Sequence, residues 1–179
     1  LPENQPGEDL APWAGYGQSN QAYTPVQLAN YVATLASGGM RRTPHLLKTV
    51  KTYDNSEIVA VGDTDPVETL EISASTLEAV KEGMYGYTQP GGSVYSAFRS
   101  CIVSAGAKTG TSQLGGDLTN HGLFICFAPY DDPEIAVAIV IEHAGSGAAV
   151  APTAVEILNA YFSAGSGDAT ITGENQLLP

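Results

Sequence analysis

Residues 107–113 read Ala-Lys-Thr-Gly-Thr-Ser-Gln and place one cation among three hydroxyl side chains. Lys108 carries a point charge with three hydrogen-bond donors, which suits the binding of an anion. Thr109 and Thr111 are two residues apart, so on a strand their side chains point to the same face. Gly110 has no side chain and would let a ligand lie against the backbone. The pattern predicts a strip that recognises a carboxylate. On an edge strand its N–H groups would also serve an extended peptide or an oxyanion.

A Lys-Thr-Gly triplet in isolation is more often an ordinary solvated hairpin, so the rest of the chain has to decide between the two interpretations. The net charge is −12, with seven Lys and Arg, which argues against nucleic acid or anionic lipid as a partner of a basic face. Hydrophobic residues make up 43% of the chain, enough for a core. The two cysteines form no Cys-x-x-Cys motif, so neither a metal nor a redox site is predicted, and Cys126 fits a buried strand position.

The N-terminal part predicts two helices separated by exposed strands. Residues 1–23 are rich in Pro, Gly, Asn and Gln and are expected to be loop. The first helix has Thr24 and Gln27 as a capping box, an apolar stripe and a Gly-Gly stop. Its stripe is Leu28, Tyr31, Val32 and Leu35. Residues 44–61 predict an exposed hairpin around Asp54-Asn55.

The second helix is predicted from Ser75 to Tyr87, with Ser75 and Glu78 as a capping box, and residues 88–96 as a loop. Its apolar stripe is Leu77, Val80, Met84 and Tyr87.

Three strands are predicted in the C-terminal third, over residues 104–113, 121–128 and 134–142. Both faces of the last two strands are apolar, so helices must cover both, and the short connections make the sheet antiparallel. A helix from Pro152 to Phe162 is expected to pack on the alanine face of the third strand, and residues 164–179 to be a mobile tail. The packing face of this C-terminal helix would be Ala154, Ile157, Leu158 and Tyr161. The fold class is α+β, an antiparallel sheet covered by helices.

An ordered series of short motifs surrounds the strip. Downstream they are His121-Gly122-Leu123-Phe124, Phe127-Ala128-Pro129, Glu134-Ile135-Ala136-Val137-Ala138 and Ala151-Pro152. Upstream they are Gly17-Gln18, Tyr23-Thr24-Pro25-Val26-Gln27-Leu28-Ala29, Ala36-Ser37-Gly38-Gly39 and Pro44-His45-Leu46. From residue 13 to residue 163 the chain resembles the C-terminal portion of the transpeptidase domain of penicillin-binding proteins. It is most similar to the class B, monofunctional group that acts in elongation, division or spore-wall synthesis.

The resemblance implies a penicillin-binding-protein/β-lactamase-like fold and a serine-type peptidoglycan D,D-transpeptidase, a β-lactam target with no cofactor and no metal. It implies that Lys108 supports the field around the nucleophile's hydroxyl, and that Thr109 and Thr111 hold the substrate or drug carboxylate. The Thr111 N–H would supply half of an oxyanion hole, and Gly110 and Ser112 would complete the substrate-binding strip. The implied partners are stem peptides ending in D-Ala-D-Ala and β-lactams. The implied location is the outer face of the bacterial cytoplasmic membrane, through an N-terminal anchor outside these residues.

Two of the three motifs expected of this family do not occur in the chain. The family combines a Ser-x-x-Lys nucleophile and a Ser-Asp-Asn type motif with Lys-Thr-Gly. No lysine here follows a serine by three positions, and no asparagine follows one by two. Together with a start that has neither Met nor signal peptide, this favours a truncated domain that is inactive alone and self-associates or binds its missing N-terminal half.

Other interpretations of the same sequence stay open. The runner-up for the intact protein is a D,D-carboxypeptidase or a β-lactam-sensing relative that uses the same site. A non-catalytic interaction module that kept the fold is a further alternative. His121 fits strand-end hydrogen bonding better than catalysis. Tyr85, Tyr87 and Tyr95 fit either core packing or the mouth of a cleft.

Overall fold

The computed structural model describes residue 17 and residues 22–114 and 116–164. The helices are α1 (Pro25–Ala36), α2 (Ala74–Gly86), α3 (Tyr95–Phe98) and α4 (Ala151–Ala164), with a 3₁₀ turn at Gly147–Val150. The strands are β1 (Met40–Arg41), β2 (Thr49–Lys51), β3 (Ile58–Val61), β4 (Glu68–Thr69), β5 (Gly106–Ser112), β6 (His121–Ala128) and β7 (Ile135–Ile141). The predicted loop over 1–23 and the predicted tail over 164–179 lie almost wholly outside the described residues and stay predictions.

Helix α1 begins as its sequence predicts. The Gln27 N–H donates to Thr24 Oγ1 at 3.3 Å, and the Thr24 N–H donates to Gln27 Oε1 at 2.8 Å, which completes the capping box. Val32 and Leu35 of the predicted stripe are buried. Tyr31 is 55% exposed and projects beside the sheet instead of into the core. The apolar stripe of α1 is therefore wider than the surface that it covers here.

The N-cap of helix α2 lies two residues before the predicted cap. Ser73 has the extended backbone of an N-cap, and its side chain accepts from the Thr76 N–H at 3.1 Å. Ser75 lies inside the first turn, so the predicted box of Ser75 and Glu78 is wrong. Two serines at this spacing both fit the rule, and the backbone angles at Ser73 decide which one caps.

The main sheet consists of three antiparallel strands in the order β5-β6-β7, as predicted. Its register pairs Lys108 with Ile125 and Cys126 with Val137. Strand β5, which carries the strip, is an outer strand of the described sheet. This placement leaves one of its edges open to a ligand.

The two faces of the sheet are covered by different helices. Phe124, Cys126 and Ala128 face a cluster built mainly from α4 and the 3₁₀ turn, whose members include Val150, Ala154 and Leu158. The other face belongs to a second cluster, with Phe127 packed against Val32, Ala36 and Met84, and with Ile125 and Ala136 beside them. Both strand faces are therefore apolar because both are buried.

The alanine face of β7 is covered by α1, so the prediction that the C-terminal helix covers it is wrong. In an antiparallel pair, directly opposite residues share a face, and Ala136 pairs with Phe127. Ala136 therefore lies on the side where Ala36 of α1 packs. The small alanine side chains of β7 predict that a helix packs closely on this face, but they do not specify which helix.

Helix α4 buries a face that matches the predicted one at Ala154 and Leu158 but not at Ile157 and Tyr161. Ala154, Val155 and Leu158 are buried, whereas Ile157 and Tyr161 are 37% and 46% exposed. Both sets of positions satisfy helical spacing. The buried set continues the contact made by Ala151, at the end of the 3₁₀ turn, and this tertiary contact selects it.

The remaining elements are small and peripheral. The predicted hairpin forms from β2 and β3 around Asn55, which adopts a positive φ of 59°. Strands β1 and β4 make a second two-stranded sheet, which the sequence did not predict. Helix α3, within and just beyond the predicted loop 88–96, was also missed. It places Phe98 against Phe124 in the core, with ring centroids 5.9 Å apart.

Candidate active site

Strand β5 displays the strip at its outer edge. Lys108 is exposed, and Thr109 to Ser112 are half-buried. The Lys108 Nζ donates to the Thr109 carbonyl at 2.9 Å. Among the residues that the structure describes, no carboxylate lies within 4 Å of this ammonium. The ion pair found in those residues joins Arg41 and Glu68 instead. The Lys108 ammonium is therefore held near the strand, and no carboxylate among the described residues neutralises its charge.

The strip has two sides. Thr109 pairs with Phe124 and Thr111 with Gly122, so the two threonines point to the face that α4 and the 3₁₀ turn cover. Lys108 and Gly110 alternate with them and point to the opposite face. Since β5 is an outer strand, a ligand at its edge can meet groups from both faces.

The 3₁₀ turn supports the strip from the threonine side. The Gly147 N–H donates to Thr111 Oγ1 at 3.3 Å. A Cβ at Gly147 would collide with the backbone nitrogen and oxygen of Gly110, so the turn approaches the strand as closely as a glycine permits. A Cβ at Gly110 would meet only the Leu123 Cβ, at 3.2 Å. The space over Gly110 on the lysine side is thus nearly open, as a ligand lying against the strand requires.

Tyr87 lies against the start of the strip. Its hydroxyl is 2.7 Å from Thr109 Oγ1, and the Lys108 Nζ stands 5.0 Å from its ring centroid. Burial alone would raise the pKa of Tyr87, but hydrogen bonds with Thr109 and Ser93 and the charge of Lys108 outweigh it and bring the pKa below its ordinary value. Tyr87, predicted to lie either in the core or at a cleft, does both: it packs against the core cluster and lines the cavity beside Lys108.

Two cavities adjoin the strip. One, of about 380 Å³, contains Lys108 and Tyr87 in its lining, together with Met84 and Ile125. The other, of about 520 Å³, is lined by Gly110, Thr111, Ser112, His121 and further residues. Tyr31 lines both, and its exposed ring stands between them. The structure thus brings four of the five predicted site residues to open space, and Thr109 faces Tyr87.

Three other side chains have contacts or burial typical of structural residues, the role that the sequence favours for His121 and Cys126. His121 accepts a hydrogen bond from the His143 N–H at its Nδ1, at 3.1 Å. His143 contacts the Thr119 carbonyl through its own Nδ1 at 2.9 Å. Burial raises the pKa of the Cys126 thiol to about 12, so it stays a protonated, apolar core group.

The described ranges contain neither a candidate metal centre nor a candidate membrane span. No group of three or more His, Cys, Asp or Glu side chains there is arranged to hold a metal ion. No helix in those ranges is both long and apolar enough to cross a bilayer.

A family model for the penicillin-binding protein transpeptidase domain matches residues 2–159. The chain belongs to the penicillin-binding protein transpeptidase family. The peptidoglycan D,D-transpeptidase MrdA of Escherichia coli K12 is 30% identical over an alignment 176 residues long, which covers 90% of this chain and 27% of MrdA. The chain therefore spans about a quarter of the length of that relative.

Solved structures of penicillin-binding proteins share the fold. Pseudomonas aeruginosa PBP2, in complex with WCK 5153, superposes with a TM-score of 0.70 at 30% identity and covers 82% of this chain and 32% of its own. Penicillin-binding protein A of Mycobacterium tuberculosis, an imipenem acyl-enzyme complex, gives 0.68 at 27% identity, over 82% of this chain and 32% of its own. The transpeptidase chain thus has the penicillin-binding-protein/β-lactamase-like fold that its sequence predicted.

Proposed function

We propose that this chain supplies the carboxylate-recognition side of a penicillin-binding site in a serine D,D-transpeptidase. The observation that carries the proposal is the uncompensated ammonium of Lys108 on an outer strand whose next three residues are Thr109, Gly110 and Thr111. Family membership supplies the chemistry that this arrangement suits. The D-Ala-D-Ala end of a stem peptide and the acid group of a β-lactam both present the carboxylate that such a strip binds.

Each residue of the strip has a proposed role. The positive field of Lys108 favours the ionised form of a serine hydroxyl brought close to it. Thr109 and Thr111 donate hydroxyl hydrogen bonds to the ligand carboxylate, and the Thr111 N–H is one donor of the oxyanion hole. Gly110 permits close approach, and Ser112 adds a hydroxyl on the lysine side of the strand, opposite His121 in the register.

The nucleophile is proposed to lie in a segment outside these 179 residues, since no Ser-x-x-Lys occurs within them. That serine attacks the penultimate D-Ala carbonyl, forms an acyl-enzyme and expels the terminal D-Ala. An amine of a neighbouring stem peptide then attacks the acyl-enzyme carbonyl, which forms the cross-link and frees the serine. The chain alone is therefore expected to transfer no acyl group. Family membership also supports a location at the outer face of the bacterial cytoplasmic membrane.

The first test uses the longer protein that joins this chain to its Ser-x-x-Lys segment. It compares the rate of penicillin labelling of the wild type with the rates of two lysine variants. Lys108→Ala should slow acylation about a hundredfold or more, as expected when a positioned charge or donor at a reacting centre is lost. Lys51→Ala is the matched control, an exposed lysine on the peripheral hairpin, and should label like the wild type. Equal labelling of the wild type and Lys108→Ala would contradict the proposal, as would a stable acyl adduct on the chain alone.

The product of the reaction separates the enzyme classes. A purified stem-peptide substrate should yield cross-linked dimers, read by mass spectrometry. Trimmed monomers without cross-links would identify a D,D-carboxypeptidase. Labelling without either product would identify a sensor, and no labelling of the longer protein would favour the interaction module.

A further inference from the structure

Tyr87 touches two consecutive residues of the strip. Its hydroxyl is 2.7 Å from Thr109 Oγ1, and its ring centroid is 5.0 Å from Lys108 Nζ. Consecutive strand residues point to opposite faces, so a side chain that meets both has to lie along the edge of the strand. Tyr87 therefore occupies the open edge of β5, next to the groups proposed to bind a carboxylate.

The hydroxyl of Tyr87 links the strip to the loop after α2. It lies 2.7 Å from Thr109 Oγ1, and Ser93 of that loop contributes to lowering its pKa as a side-chain partner. Thr109 has a branched side chain whose hydroxyl direction is set by one rotation, and a partner on one side fixes that rotation. The ring also attracts the ammonium through its negative face. The hydroxyl of Tyr87 therefore acts on Thr109, which is proposed to hold the carboxylate, whereas its ring acts on Lys108.

We propose that Tyr87 is a positioning residue of the penicillin-binding site, whose hydroxyl orients the Thr109 hydroxyl toward the ligand carboxylate. The inference rests on the proposed function and adds one residue to it. Tyr87 is also half-buried against the core cluster of α4, so a purely structural role is the competing explanation. The two roles differ in one respect: a positioning residue matters only to ligands that carry the carboxylate.

The test uses Tyr87→Phe in the longer protein, which removes the hydroxyl and keeps the ring. Acylation rates are measured with benzylpenicillin and with its methyl ester, which lacks the charged carboxylate. We expect Tyr87→Phe to slow the acid about fivefold, the scale of one lost hydrogen bond, and to leave the ester within about twofold. Tyr161→Phe, an exposed tyrosine of α4, is the matched control and should leave both rates unchanged.

A double-mutant cycle with Thr109→Val tests whether the two residues act together. Both substitutions delete the same hydrogen bond, so the combined variant should be no slower than the slower single variant. Rate losses that multiply would mean that Tyr87 acts independently of Thr109, which would overturn the inference.

The outcomes separate this inference from the function on which it rests. If the wild type reacts and Tyr87→Phe slows the acid and the ester equally, Tyr87 is structural and only the inference fails. If Tyr87→Phe changes the rate with neither ligand, the Tyr87 hydroxyl does not position the carboxylate-binding group, and again only the inference fails. If the wild-type longer protein does not react with benzylpenicillin at all, the proposed function fails and the inference with it.

Discussion

Gly147 meets the strip backbone to backbone, where the 3₁₀ turn crosses β5. A Cβ there would run into the nitrogen and oxygen of Gly110, atoms that cannot rotate away as a flexible side chain does. The same turn donates the hydrogen bond that Thr111 accepts. Residues more than thirty positions apart therefore share one local constraint, and the position of the Thr111 hydroxyl depends on a glycine outside the motif.

Gly147→Ala is expected to lower the free energy of unfolding by about 1–3 kcal/mol, the usual cost of forcing extra volume into a packed site. Equilibrium urea unfolding at fixed protein concentration measures the change. Gly83→Ala is the matched control, because a Cβ at that helical position meets nothing within 4 Å. Removing a helix-interior glycine should raise stability by up to about 1 kcal/mol. A neutral Gly147→Ala would show that the turn can retreat from the strand.

At the scale of single elements, local rules gave the right type and only sometimes the right details. The capping box of α1 needs only a few neighbouring residues, and so does the alternation of side chains between the two faces of β6 and β7. Both were predictable for that reason. Helix α2 has two serines that suit a cap, and α4 has two stripes that suit a packing face. The choice in each case depends on backbone angles and on neighbours that are distant in sequence.

The cap of α2 gives a direct test at this scale. Ser73→Ala should destabilise the fold by about 1 kcal/mol, because the Thr76 N–H loses its acceptor. Ser75→Ala, two residues along and exposed, should change stability by less than about 0.5 kcal/mol. Urea midpoints of the two variants decide the matter, and a larger loss for Ser75→Ala would restore the capping box that the sequence predicted.

At the scale of the whole molecule, β7 is the other outer strand of the described sheet, and its end is apolar. Val140 and Ile141 are each 38% exposed. An outer strand with exposed apolar side chains tends to pair with another chain. The self-association expected from the sequence therefore has a candidate surface, the free edge of β7.

Sedimentation velocity of the chain alone is expected to show dimers or larger species at micromolar concentration. Val140→Glu should shift the distribution toward monomer, since a charge on an outer strand opposes edge pairing. Tyr53→Glu, at a fully exposed hairpin position, is the control and should leave the distribution unchanged. A wild-type chain that is monomeric and binds no hydrophobic dye would contradict the expectation. A shift with Tyr53→Glu alone would move the interface to the hairpin.

The sequence by itself determined the Lys-Thr-Gly strip, the three antiparallel strands and the family, because motif spacing and strand alternation are local properties of the chain. Only the tertiary structure decided that α1 covers the alanine face, and that Gly147 and Tyr87 meet the strip. Tyr87 and Lys108 are 21 positions apart, and no periodicity relates them. Their contact exists because α2 ends beside β5, and that placement follows from how the helices and the sheet bury their apolar faces together.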